Sequence, residues 1–215
     1  MKPLLVLRPE PGNRATVERA RAIGLEPLAC PLFSVQPVAW TAPDRRGFDA
    51  MLFTSANALR HGGEKIARLT TLPALAVGPA TADAARASGF DVTMTGDDGV
   101  EALLAALPGT RRLLHLTGTE HCLPDMPHEI KSVVVYRSVV LAGATIPSGK
   151  MVALVHSPRA GACLAVLIRD RRRVSIAAIS VHAADACGPG WAAVVVAHTP
   201  NDGSLLAVAA RLCQD

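Results

Sequence analysis

The sequence predicts an α/β protein of two similar parallel-sheet domains. One domain is discontinuous, a two-stranded β linker joins them, and a ligand cleft lies between them. Three observations predict this. Short apolar runs alternate with longer amphipathic segments, which is the βα rhythm of a parallel sheet covered by helices. The chain also matches itself at a fixed offset of 102 residues. Ser55 in MLFTSANAL answers Ser157 in ALVHSPRAG, Gly78 answers Ser180, Ala82-Asp83-Ala84 answers Ala184-Asp185-Ala186, and Leu103-Leu104-Ala105 answers Leu205-Leu206-Ala207. A repeat of this length means a duplicated domain, not a solenoid. Finally, the second copy ends one strand short, and LLVLRPE (4–10) resembles the LLHLTGT (113–119) that it lacks.

Each element follows from local pattern. Leu4–Leu7 reads as a buried strand, Arg8–Gly12 as a turn, and Ala15–Ile23 as a helix stopped by Gly24. Leu28–Cys30 is a short strand. PLFSVQPV (31–38) is extended and punctuated twice by proline. The first copy then reads as strand 49–54, helix 55–61 with a further helical stretch from Glu64, strand 75–77, helix 80–88, strand 91–95, helix 100–107 and strand 113–117. The segment 122–127 carries no regular signal. SVVVYRSVVL (132–141) is a β run too long for one small domain, so it is expected to cross back between domains. The second copy reads as strand 151–156, helix 160–168, strand 175–179, a short helix near 183–187, strand 192–197 and helix 204–213. The expected division is therefore 1–34 with 146–215 for the discontinuous domain and 38–132 for the inserted one. Segments 31–38 and 132–145 are the linker strands, running oppositely as an antiparallel ladder.

Composition narrows the function. With 215 residues, two domains of roughly 100 residues can each close a modest core. Half of the chain is hydrophobic but aromatics are only 3%, which leaves little for base stacking and argues against nucleic acid. The net charge of +4 suits an anionic small molecule and equally an ordinary soluble surface. Arg169-Asp170-Arg171-Arg172-Arg173 reads as a solvated helix end. The five cysteines are scattered, odd in number and without CxxC, as expected of reduced thiols in a cytoplasmic protein. His115, His121, Cys122 and His128 lack metal-motif spacing and are assigned to a loop, so no metal is expected. No run approaches the roughly 18 apolar residues of a membrane span.

In parallel sheets, ligands sit at the carboxyl ends of strands, where helix N-termini offer backbone N–H groups to anions. Four junctions have this form: Thr54-Ser55-Ala56-Asn57, Gly78-Pro79-Ala80-Thr81, His156-Ser157-Pro158 and Ser180-Val181-His182-Ala183. Gly78 permits close backbone approach. Ser55, Thr81 and Ser157 can cap helices and still offer a hydroxyl. Each alone fits a plain N-cap; together they suit a polyanion. Tyr136, the only tyrosine, is either a cross-strand packing residue or a proton donor facing the cleft. No GxSxG, P-loop or GxGxxG is present.

At these residues the chain resembles the uroporphyrinogen-III synthases. VLRP near the start, FTSANA (53–58), VGPATA (77–82), VYRS (135–138) and LLAVAARL follow that family's order. The resemblance implies a cytoplasmic, monomeric lyase of heme, siroheme and cobalamin biosynthesis. It would cyclise hydroxymethylbilane to uroporphyrinogen III with loss of water and inversion of ring D. No cofactor is implied, and a transient contact with hydroxymethylbilane synthase is compatible with it. By similarity Tyr136 assists departure of the hydroxyl, and Ser55, Thr81 and Ser157 match positions that line the cleft; Arg8 is either a partner for a substrate carboxylate or a surface residue before a turn. One loop departs from the family pattern: Ser180-Val181-His182-Ala183 stands where G-x-T-T is common. There His182 can still donate a hydrogen bond, or pair with a carboxylate when protonated. That loop supports an alternative, a non-catalytic tetrapyrrole or polycarboxylate binding protein on the same scaffold. An enzyme for phosphorylated ligands also fits the helix ends but explains none of the motifs.

Overall fold

The structure is a computed structural model that describes residues 1–214. The chain divides into two compact units: Met1–Ser34 together with the chain from Val140 onward, and Val35–Val139. The expected fold class, α/β with parallel sheets, is the one observed.

The discontinuous unit holds a five-stranded sheet. Its strands are β1 (Leu4–Val6) and β2 (Pro27–Ala29), with helix α1 (Gly12–Ala22) between them. The next strand, β3 (Phe33–Pro37), leads into the second unit. That unit contains β4 (Ala50–Phe53), α2 (Ala56–His61), β5 (Ala74–Val77), α3 (Pro79–Ala87), β6 (Val92–Gly96), α4 (Val100–Ala105), β7 (Arg112–Gly118) and β8 (Glu129–Val140). The chain then completes the first unit with β9 (Met151–Val155), α5 (Pro158–Leu167), β10 (Val174–Ala178), α6 (Val181–Asp185), β11 (Ala193–Val196) and α7 (Asp202–Gln214). The sheet orders are β11-β10-β9-β1-β2 and β3-β8-β7-β4-β5-β6.

The two sheets repeat each other in register up to Ala74, after which the β5–β6 ladder slips by one residue and the matching β10–β11 ladder does not. Leu4 lies opposite Val152 as Leu113 lies opposite Ala50. Ile176 faces Ala153 and Val194 as Ala74 faces Met51 and Val92. The offset of 102 read from the sequence is thus also the offset of the ladders. β1 takes the place in the first sheet that β7 has in the second, as the resemblance of LLVLRPE to LLHLTGT requires.

Strands buried on both faces explain the unbroken apolar runs. In β1, Leu4 and Val6 join one cluster with α1 and α7, while Leu5 joins another with α5 and α6. In the second sheet, Met51 and Phe53 face one cluster, and Ala50 and Leu52 face the other. β3 and β8 run antiparallel: Val38 N–H donates to the Val135 carbonyl and Leu141 N–H to the Leu32 carbonyl, so one index rises as the other falls. The stretch after Glu64 is helical as expected, but as a 3-10 segment over Glu64–Leu69. α1 begins at Gly12, earlier than expected, because buried Asn13 donates to the carbonyls of Val6 (2.7 Å) and Arg8 (3.0 Å) and ties the turn to the strand end.

Candidate functional site

Parallel strands put their carboxyl ends on one side of each sheet, and the junction residues follow those ends. In the second unit, Ser55 follows β4 and caps α2, accepting from the Asn57 N–H (3.2 Å). Gly78 follows β5 and caps α3 with its backbone alone. At φ +81° and ψ 151° it occupies a region that nearly only glycine enters. Its carbonyl accepts from the N–H groups of Thr81 and Ala82, both at 3.1 Å, and Thr81 is buried in the first turn of the helix. Tyr136 lies opposite Gly118, the last residue of β7, so it belongs to the same end of this sheet. It is half-buried, packs on the cluster of Phe53 and Leu116, and has His61 beside it, with ring centroids 6.3 Å apart. Burial, and then the Arg60 charge, push the His61 imidazole below its ordinary value.

In the first unit, Ser157 follows β9 and caps α5, accepting from the Ala160 N–H (3.2 Å). Ser180 follows β10 and caps α6, accepting from the Ala183 N–H (3.3 Å). The serine in place of glycine therefore leaves extended backbone at φ −154° and supplies a side-chain cap. A capping serine accepts with its oxygen and keeps its O–H hydrogen to donate to a carboxylate. His182 is exposed in the first turn of α6.

Arg8 follows β1 and is not merely a surface residue before a turn. Its guanidinium approaches Asp202 Oδ1 (3.4 Å) and Thr16 Oγ1 (3.3 Å) and lies across Gly12. Asp202 opens α7 and collects donors from three elements. His156 Nε2 donates at 2.8 Å, Thr16 Oγ1 at 3.0 and 3.1 Å, and the Arg19 guanidinium completes the set. Burial alone would raise the Asp202 carboxyl. The His156 hydrogen bond and the neighbouring positive charges outweigh it and hold the carboxyl below its ordinary value. Burial lowers His156 against the pull of Asp202, so near neutral pH a neutral imidazole donates to a carboxylate whose charge Arg8 and Arg19 balance. Sequence reasoning missed this node, although one signal was present: His156 is the repeat partner of Thr54.

His115 sits inside β7, as the expected strand 113–117 has it, and not in the loop to which its grouping with His121, Cys122 and His128 assigned it; it is fully buried. Its Nε2 is 3.0 Å from Thr54 Oγ1, its Nδ1 is 3.2 Å from Ser132 Oγ, and the His121 ring meets it edge-on. Burial, aided by His121, lowers it to about 4, so it is a neutral core histidine.

These features can be set beside known proteins. The family model described as uroporphyrinogen-III synthase HemD matches residues 14–207. The chain belongs to the uroporphyrinogen-III synthase family. It is accordingly a lyase-type enzyme of tetrapyrrole biosynthesis that cyclises hydroxymethylbilane. Its fold is similar to the uroporphyrinogen-III synthetase of Helicobacter pylori, with TM-score 0.65, 18% identity, and coverage of 98% of this chain and 99% of that one. It is also similar to a mutant uroporphyrinogen-III synthase of Thermus thermophilus, with TM-score 0.54, 19% identity, and coverage of 99% and 98%. No curated protein matches the chain by sequence. At these identities the structures speak for the fold; the family model carries the membership.

Proposed function

We propose that this synthase uses Tyr136 as the proton donor and the strand-end junctions as seats for the substrate carboxylates. The placement of Tyr136 at the carboxyl end of β7, the end that also carries Ser55, Gly78 and Thr81, supports the reading. The phenol donates its proton to the hydroxyl of hydroxymethylbilane, and that hydroxyl leaves as water. The resulting azafulvene cation is attacked by the substituted carbon of ring D, giving a spiro intermediate. Ring D is inverted before the macrocycle closes.

Uninverted closure competes without an enzyme, so positioning is the protein's main contribution. Backbone N–H groups at the starts of α3 and α5 and the free O–H hydrogens of Ser55 and Ser157 suit the acetate and propionate groups on each ring. Arg8 serves a substrate carboxylate while shared with Asp202, and exposed His182 serves another.

We also infer a monomer of the cytoplasm that meets hydroxymethylbilane synthase transiently. The five cysteines are free, and burial pushes the thiols of Cys30, Cys187 and Cys213 up, keeping them protonated. Among the described residues no helix is long and apolar enough to cross a membrane.

The test mixes purified protein with freshly made hydroxymethylbilane, oxidises the products and separates isomers I and III. An excess of isomer III is expected. Tyr136→Phe should lower kcat by about 100-fold or more, as for loss of a general acid. Isomer I alone from folded wild-type protein would sink the assignment.

A further inference from the structure

Three features of the second unit converge on Tyr136. The first is register. β7 and β8 run in step from Arg112 opposite Glu129 to Thr117 opposite Val134, and then slip by one residue, so that Gly118 faces Tyr136 and not Val135. Strict alternation would put Val133 and Val135 on one face and Tyr136 on the other. Yet all three pack against the same apolar cluster. The slip is a β-bulge, a device that re-aims a side chain. The Thr119 N–H closes it by donating to the Tyr136 carbonyl at 3.1 Å.

The second feature is Gly118 itself. Its φ is not in the left-handed region, so backbone freedom does not require glycine here. Space does. A Cβ at Gly118 would stand 2.6 Å from Cε2 and 2.8 Å from Cζ of Tyr136, and the ring would have to swing away. The third is His61, the last residue of α2, whose ring meets Tyr136 at 6.3 Å and a tilt of 42°.

We propose that Gly118 and His61 are positioning residues for Tyr136. The missing side chain at Gly118 lets the ring lie over the end of β7, and the His61 ring packs against its side, so the hydroxyl is presented in one orientation. This rests on the reading of Tyr136 as proton donor. The orientation matters because a misplacement of about 1 Å can cost about 100-fold in rate, and slow proton donation gives uninverted closure time to win.

Gly118→Ala, His61→Ala, His61→Phe and Tyr136→Phe are compared in the full chain for kcat, KM and the ratio of isomer III to isomer I. Gly118→Ala should lower kcat about 10- to 100-fold with KM within about twofold, and enrich isomer I. His61→Ala should lower kcat about three- to tenfold, and His61→Phe should restore most of it, since the contact is one of ring packing. Because the chain has a single tyrosine, 3-fluorotyrosine labelling gives one fluorine resonance, expected to shift in Gly118→Ala and His61→Ala.

Native kcat in Gly118→Ala, or an unmoved resonance, overturns the role of Gly118. Equal loss in His61→Ala and His61→Phe overturns that of His61. If Gly118→Ala does not fold, the two His61 variants and their fluorine resonances decide. Native turnover in Tyr136→Phe would refute the proton-donor reading instead, a result distinct from impaired Tyr136→Phe beside native Gly118→Ala.

Discussion

A buried neutral histidine makes stability depend on pH. His115 is fully buried and lowered from 6.5 to about 4, so the unfolded chain binds its proton more readily than the folded one. Its contribution is complete above about pH 6.5 and is lost as pH falls toward 4. From the size of the shift the loss is on the order of 3 kcal/mol. His156 is lowered too and adds in the same direction. Urea unfolding at intervals from pH 8 to pH 4 should show a plateau and then a decline, and His115→Asn should flatten much of the decline. A decline of wild-type steepness in the variant would assign it to other groups. The sequence could not show this, because His115 becomes a core residue only when Thr54 and Ser132, 61 and 17 positions away, are brought to its two nitrogens.

At the scale of elements, the two copies solve one problem in two ways. Gly78 opens α3 at positive φ without a side-chain cap; Ser180 opens α6 with extended backbone and a hydroxyl cap. A Cβ at Gly78 would meet nothing within 4 Å, so Gly78→Ala costs backbone strain alone, about 1–3 kcal/mol. Ser157→Ala removes a cap and should cost about 1 kcal/mol. Thermal unfolding measures both, and Gly78→Ala should also raise KM, because straining the turn moves N–H groups proposed to hold carboxylates. Strand ends, caps and the repeat were legible in the sequence because they obey local rules of polarity and chain reversal. The bulge at Gly118 was not, since VVVY carries no mark of where alternation breaks. Nor was the Asp202 node, whose partners come from positions 8, 16, 19 and 156. Arg8 was legible only through the resemblance to the family; the carboxylate it already touches lies 194 residues away.

For the whole molecule, the two units should differ in self-sufficiency. The segment from Phe33 to Val140 contains every strand of the six-stranded sheet, so it is expected to fold alone, with a cooperative thermal transition and dispersed amide resonances. The segment from Val140 onward lacks β1, which lies between β9 and β2 in the five-stranded sheet. It should remain unfolded until residues 1–34 are added as a separate peptide. Independent folding of the later segment by itself would show that β1 is dispensable.

The placement of β1 also sets an order of events during synthesis. β1 is made before the whole second unit, yet its neighbour β9 begins only at Met151 and the helix that covers both, α7, ends at Gln214. Throughout translation of the intervening residues, the apolar LLVL segment has only β2 and α1 for native partners, and its edge toward β9 stays open. The nascent chain therefore carries one finished unit and one sticky, waiting strand, and the enzyme's yield in the cell depends on how well that strand is shielded until the last helix emerges.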